Sequence, residues 1–116
     1  YFSKTIEQHP TAFSSFLIGL DFQINPVIEI VVSGTFDDDL QNILNMINIE
    51  FLPNIIVLYR PDIDKPEIDQ ITPYIKDKVT INNKPTYYIC HNFVCEKPLN
   101  DVSEIMKILN IKKMLN

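Results

Sequence analysis

Glycine, cysteine and arginine are scarce in this chain of 116 residues, which has two Gly, two Cys and a single Arg. No apolar run approaches the roughly 18 residues that a membrane span needs, so no transmembrane helix is expected. Two Cys in an otherwise ordinary globular composition do not make a secreted disulfide scaffold, and the expected setting is a reducing cytoplasm. The lone Arg60 and nine Lys stand against 15 Asp and Glu, for a net charge of −5. That balance argues against nucleic acid or an anionic membrane surface as the main partner. What the chain has is 46% hydrophobic and 22% charged residues. This suits one small domain that can bury a modest core without metal or disulfide staples. It opens Tyr1-Phe2-Ser3, with neither an initiator Met nor a signal pattern, and is expected to be part of a longer protein.

Apolar residues Phe13, Phe16, Leu17, Leu20 and Ile24 recur at helical spacing, and Pro10 breaks any single helix running from Tyr1. The pattern predicts helices over about 2–8 and 11–22, stopped by Asn25-Pro26. Ile18 and Phe22 widen the apolar stripe beyond one face, so it calls for cover on more than one side. Ile28-Glu29-Ile30-Val31-Val32 predicts a buried strand ending at Ser33-Gly34. A helix follows, with Asp37, Asp38 and Asp39 in its first turn and Leu40, Ile43, Leu44 and Ile47 on its apolar face. Pro53 is its expected stop, and Ile55-Ile56-Val57-Leu58-Tyr59 is a second buried strand. Strand, helix and strand in this span predict a parallel pair.

Pro61, Pro66 and Pro73 punctuate the next stretch, with a helical turn expected over 66–72. Thr86-Tyr87-Tyr88-Ile89-Cys90 predicts a third strand, with one of Tyr87 and Tyr88 facing the core. Val79-Thr80-Ile81 is a candidate hairpin partner across Asn82-Asn83, weakened by Pro85. Asp101 and Glu104 have capping-box spacing ahead of a final helix carrying Val102, Ile105, Met106, Ile108 and Leu109.

Gly34 before an acidic helix is where an α/β fold could bind a phosphate, yet one Gly is not a phosphate loop and three Asp would repel an anion. Capping and a solvated first turn account for the Asp run better than a divalent cation does. Cys90-His91-Asn92-Phe93-Val94-Cys95 is the one dense cluster of reactive types. Its C-x4-C spacing is not the C-x2-C of redox or zinc motifs, and the remaining His9 has no evident place beside it. Structural thiols rank first for Cys90 and Cys95, a reversible redox pair second and metal last. A disulfide across the turn would close a very short loop and stabilise little. No nucleophile and base combination stands out, so no catalytic residue, metal ligand or cofactor is assigned.

The segment from Asn83 to Pro98 resembles the tail of YyaL-type proteins. These are thioredoxin-domain proteins related to the spermatogenesis-associated thioredoxin-domain protein of animals. That tail reads, in outline, Gly-Lys-Pro-Thr-Ala-Tyr-x-Cys-x-Asn-Phe-x-Cys-x-x-Pro. Asn83 stands for its Gly and Tyr87 for its Ala, while Lys84, Pro85, Thr86, Tyr88, Cys90, Asn92, Phe93, Cys95 and Pro98 match. Glu29 to Val32 with Gly34, and Phe51-Leu52-Pro53-Asn54, are similar to further stretches of the same tail. Pro10, Ala12-Phe13 and Leu20-Asp21-Phe22 resemble the last helix of the barrel before it.

The resemblance implies a parent with a thioredoxin-like domain, an (α/α)6 barrel and this α/β tail. Residues 1–24 would then be the end of the barrel and residues 25–116 the C-terminal domain. The expected fold is a small, mostly parallel sheet of three or four strands with flanking helices. The expected function is a non-catalytic accessory domain that docks on the missing barrel through Phe13, Phe16, Leu17 and Leu20, and forms a homodimer when isolated. The alternative is a redox-responsive module in which Cys90 and Cys95 exchange electrons with the thioredoxin-like domain. A third reading is sugar or metabolite binding at the junction of barrel and tail, with Tyr87, Tyr88 or the Asp62–Asp69 loop contributing.

Overall fold

A computed structural model of the chain describes residues 2–49 and 54–115. Helix α1 spans Ser3–Gln8, a 3-10 turn covers Pro10–Phe13, and α2 runs Ser14–Ile24. Pro10 opens the turn, where its missing N–H costs nothing, and Asn25 ends α2 in an extended conformation ahead of Pro26. Neither α1 nor α2 contains a buried residue.

Strand β1 (Ile28–Gly34), helix α3 (Asp38–Ile49) and strand β2 (Ile55–Pro61) follow as expected, and β1 pairs with β2 in parallel. The Asp37 carboxylate accepts the Leu40 N–H at 3.0 Å, which satisfies one of the unpaired donors of the first turn of α3. Pro53, the expected stop, and the Phe51-Leu52-Pro53 stretch lie outside the described residues. Strand β2 is mostly half-buried, with Arg60 buried and Ile56 exposed, because it forms one edge of the sheet. The expectation of a second fully buried strand is corrected accordingly.

Strand β3 (Thr86–His91) runs antiparallel to β1, with Ile30 opposite Ile89, and β4 (Val94–Cys95) closes a hairpin on β3. The sheet is therefore mixed, in the order β2-β1-β3-β4, and the expected mostly parallel sheet gives way to one parallel and two antiparallel pairs. The reason lies in the β2–β3 connection. It holds only the short helix α4 (Ile68–Ile71) and a 3-10 turn at Pro73–Ile75, and no long crossover helix returns the chain to the starting end of the sheet.

Asn82 and Asn83 adopt positive φ in a tight turn bridged at Ile81 and Lys84, but no strand forms over 79–81. Instead the Ile81 N–H donates to the Thr86 hydroxyl at 2.8 Å. Pro85, which has no N–H to add to a ladder, follows the turn directly.

Both faces of the sheet are covered. On one, Ile28, Ile30, Val32, Tyr87 and Ile89 pack with Leu40 and Ile43 of α3 and with Ile105 and Leu109 of α5 (Val102–Leu115). On the other, Val31, Tyr88 and Cys90 pack with Ile75, Ile68 and Tyr74 from the β2–β3 connection. Tyr87 and Tyr88 are therefore both buried, one on each face, rather than one alone. The second layer is tied down by polar contacts. Arg60 donates two 2.9 Å hydrogen bonds to the Asp69 carboxylate of α4, and the Ser33 and Tyr88 hydroxyls donate to the carbonyls of Lys78 and Val79.

Gly34 has φ +147°, and a Cβ there would meet Pro85 Cα at 3.2 Å. Its carbonyl accepts the Tyr59 hydroxyl at 2.8 Å. The glycine thus serves a close approach between two chain segments, and the phosphate reading has no support from its surroundings.

Candidate redox site at the β3–β4 hairpin

The hairpin is built by its turn. Asn92 and Phe93, the two central residues, both have positive φ, at 49° and 65°. That is what a two-residue type I′ turn requires, and its twist matches the flanking strands. Asn tolerates the left-handed region, whereas Phe there is uncommon and strained. The turn places His91 opposite Val94 and Cys90 opposite Cys95. The Glu96 N–H donates to the Ile89 carbonyl at 2.8 Å, so the hydrogen-bonded rung lies one step further and the two Cys form a non-hydrogen-bonded pair. Side chains approach most closely in such pairs. Cys90 and Cys95 are joined by a disulfide, with their Cα atoms 3.9 Å apart. Free structural thiols, the reading ranked first from the sequence, give way to a bonded pair.

The two sulfur-bearing residues differ in access. Cys90 is fully buried in the core beneath the β2–β3 connection, and Cys95 is half-buried at the sheet edge. Directly across from Cys90 on β1 stands Glu29, so their side chains share a face. The Tyr74 hydroxyl donates to Glu29 Oε2, and the Phe93 ring meets the Tyr74 ring edge-on with centroids 5.2 Å apart. Burial, and then the hydrogen bond and charge of Glu29, push the Tyr74 phenol far above its ordinary value. It stays a hydrogen-bond donor throughout the neutral range. His91 points to the opposite face, where its Nε2 lies 3.3 Å from Glu96 Oε1.

The arrangement thus combines a disulfide with one buried and one half-buried end, a carboxylate on the register partner of the buried cysteine, and a tyrosine holding that carboxylate. Among the described residues, no group of three or more His, Cys, Asp or Glu is placed to hold a metal ion. Sequence reasoning singled out Cys90 and Cys95 as a pair, matched Phe93 and Glu29 only as positions of the tail, and gave Glu29, Tyr74 and Phe93 no role at the site. For Glu29 a signal was present, as the one charge inside an apolar strand. Tyr74 sits in a proline-punctuated stretch with no local pattern to mark it. Buried Tyr87 and Tyr88 offer no open ring face for sugar binding.

The apolar stripe is distributed along α1, the 3-10 turn and α2. Phe16 is 56% exposed and Leu20 36%, while Phe13 and Leu17 are half-buried. Phe16, Leu17 and Leu20 border an open groove of about 430 Å³ together with Phe2 and Ile6 of the first helix region.

Fold and site together define a small α/β domain with a mixed four-stranded sheet and a hairpin disulfide. The chain is similar to Spermatogenesis-associated protein 20 of Rattus norvegicus, at 22% identity over 110 residues. The match covers 94% of this chain but only 14% of that protein. No family model matches the chain, and no solved structure matches it. Among the described residues, no helix is long and apolar enough to cross a membrane.

Proposed function

We propose that the chain is a redox-responsive module whose Cys90–Cys95 bond opens and closes by thiol–disulfide exchange with a partner dithiol. The observation that carries this reading is the asymmetric disulfide at the end of the sheet, with Cys95 reachable and Cys90 buried. As a staple the bond does little. It closes a loop of about six residues, on the order of 2 kcal/mol of chain entropy, in a hairpin already closed by its own turn and ladder. As an exchange site it is well formed. An incoming thiolate can reach Cys95, and the leaving sulfur, Cys90, stays in place in the core for the return step.

The distant likeness to the spermatogenesis-associated protein, of which the match covers 14%, supports a longer parent related to that protein. In such a parent the thioredoxin-like domain would supply the exchanging thiols. Equilibrating the folded chain against mixtures of glutathione and its disulfide, then trapping thiols with an alkylating reagent, tests the reading. The two cysteines should change state together, in one two-electron transition with the fold retained. A pair that stays oxidised until the protein unfolds contradicts it.

A second reading is favoured by the exposed apolar side chains of α2. Here residues 1–24 close an (α/α) barrel, residues 25–116 form an accessory domain, and Phe13, Phe16, Leu17 and Leu20 dock on the rest of that barrel. The two readings are compatible, since the hairpin and α2 are separate features of the molecule. A cytoplasmic parent fits the redox reading, since cytosolic disulfides are mostly transient and redox-sensing.

A further inference from the structure

Resting on the redox reading, we infer that Glu29 is the proton acceptor for Cys90, taking the thiol proton as the disulfide closes and returning it as the bond opens. Cys90 is fully buried, so solvent has no direct route to its sulfur. A buried thiol holds its proton, because burial disfavours the thiolate, and it must lose that proton to act as a nucleophile. A group of the protein has to take it.

The charged and titratable side chains on this face of the sheet are few. Glu29 of β1 is the register partner of Cys90. Tyr74, from the 3-10 turn, donates to Glu29, and Cys95 of β4 is the bonding partner. From β2 come the uncharged Ile56 and Leu58, next to Glu29 and Val31, and then Arg60, which is engaged with Asp69 of α4. Tyr88 of β3 donates to the Val79 carbonyl, and Lys78, which lies over its ring, is paired with Asp77. Only Glu29 combines the right chemistry with the adjacent position. Tyr74 occupies Oε2 and fixes the plane of the carboxyl, which leaves Oε1 for the exchange with Cys90 Sγ.

The closing step balances as follows. Cys95 carries a mixed disulfide with a small thiol. Cys90 Sγ attacks Cys95 Sγ and its proton passes to the Glu29 carboxylate. The Cys95 bond to the outside sulfur breaks, and the small thiolate leaves with the electron pair. The products are the Cys90–Cys95 bond, protonated Glu29 and the free thiolate, which recovers the proton through solvent. Opening by an external dithiol starts as the reverse of this step, with one thiolate attacking Cys95 Sγ and Cys90 leaving with the proton from Glu29. The reagent's second thiol then attacks the outer sulfur of the mixed disulfide, closes the reagent's own disulfide and releases Cys95.

The test reduces the folded full chain, adds glutathione disulfide, and follows the closing step by acid quench, alkylation and intact mass from pH 5.5 to 9. Glu29→Gln keeps the shape and an acceptor for Tyr74 but cannot take a proton. It should slow closure at least tenfold at pH 7, with the deficit shrinking as pH rises and the thiol ionises unaided. Glu29→Asp should recover part of the rate, which a merely structural role for the side chain would not predict. Should Glu29→Gln fail to fold, the Asp variant's altered pH profile carries the test alone. Unchanged rates and pH profile in both variants overturn the assignment while leaving the redox reading intact. A wild-type bond that no dithiol opens in the folded chain overturns both.

Discussion

Arg60 and Asp69 make a buried, two-pronged ion pair. The only arginine of the chain is buried, and its guanidinium meets the Asp69 carboxylate in two bonds of 2.9 Å, both side chains less than a tenth exposed. Removing one partner leaves the other charge buried without compensation, which costs about 3–5 kcal/mol in comparable sites. Asp69→Asn should therefore lower the unfolding free energy read from urea melts by that order, whereas replacing both residues by apolar ones of similar size should cost far less. A small loss in the single variant would show that the pair is not what anchors α4. Little of this contact is legible in the sequence. Asp69 reads as one of several acids in a solvated loop with Asp62, Asp64 and Glu67, and only the packing of α4 against β2 selects it. Glu29 is different, because its charge interrupts the apolar run from Ile28 to Val32 and asks for an explanation at once.

At the scale of elements, legibility followed the strength of the local pattern. β1, α3 and β2 were readable because a β-branched strand, a capped amphipathic helix and a second β-branched strand each carry their own period. The direction of β3 was not. Periodicity is the same for a parallel and an antiparallel strand, and the chain returns antiparallel because the segment from Asp62 to Pro85 holds only short helical turns. β4 escaped notice for a second reason. It is two residues long, and its turn uses Asn92-Phe93 where the usual signal is Asn-Gly. The wide stripe of α2 was legible, and the exposure of Phe16, Ile18, Leu20 and Ile24 matches the need for further cover. If those side chains form a docking face, the isolated chain should self-associate. Light scattering should then find a dimer or larger species, shifted to monomer by Phe16→Ser with Leu20→Ser. A monomer at high concentration would contradict a docking role for α2.

For the whole molecule, three tyrosines contribute stability that is lost at alkaline pH. Tyr74, Tyr87 and Tyr88 are all held above their ordinary value, in each case chiefly by burial. In the unfolded chain they ionise near pH 10. A raised folded value means that the native state keeps protons which the unfolded state has lost. The tyrosine contribution is therefore complete below about pH 10 and falls away as pH rises toward the folded values. Urea midpoints compared at pH 8 and pH 11 should show a clear loss at the higher pH, and less of a loss in Tyr74→Phe.

The central claim also concerns the molecule as a whole, namely that the Cys90–Cys95 bond cycles while the fold persists. The most direct measurement treats the folded chain with a mild dithiol without denaturant while far-ultraviolet circular dichroism is recorded, then quenches it, unfolds it and alkylates every free thiol, including the buried Cys90, before intact mass. The account predicts addition of two alkyl groups to a chain whose spectrum is unchanged, and return to the unmodified mass when reoxidation precedes alkylation. Alkylation that appears only as the spectrum collapses would make the disulfide a plain staple and contradict the redox function.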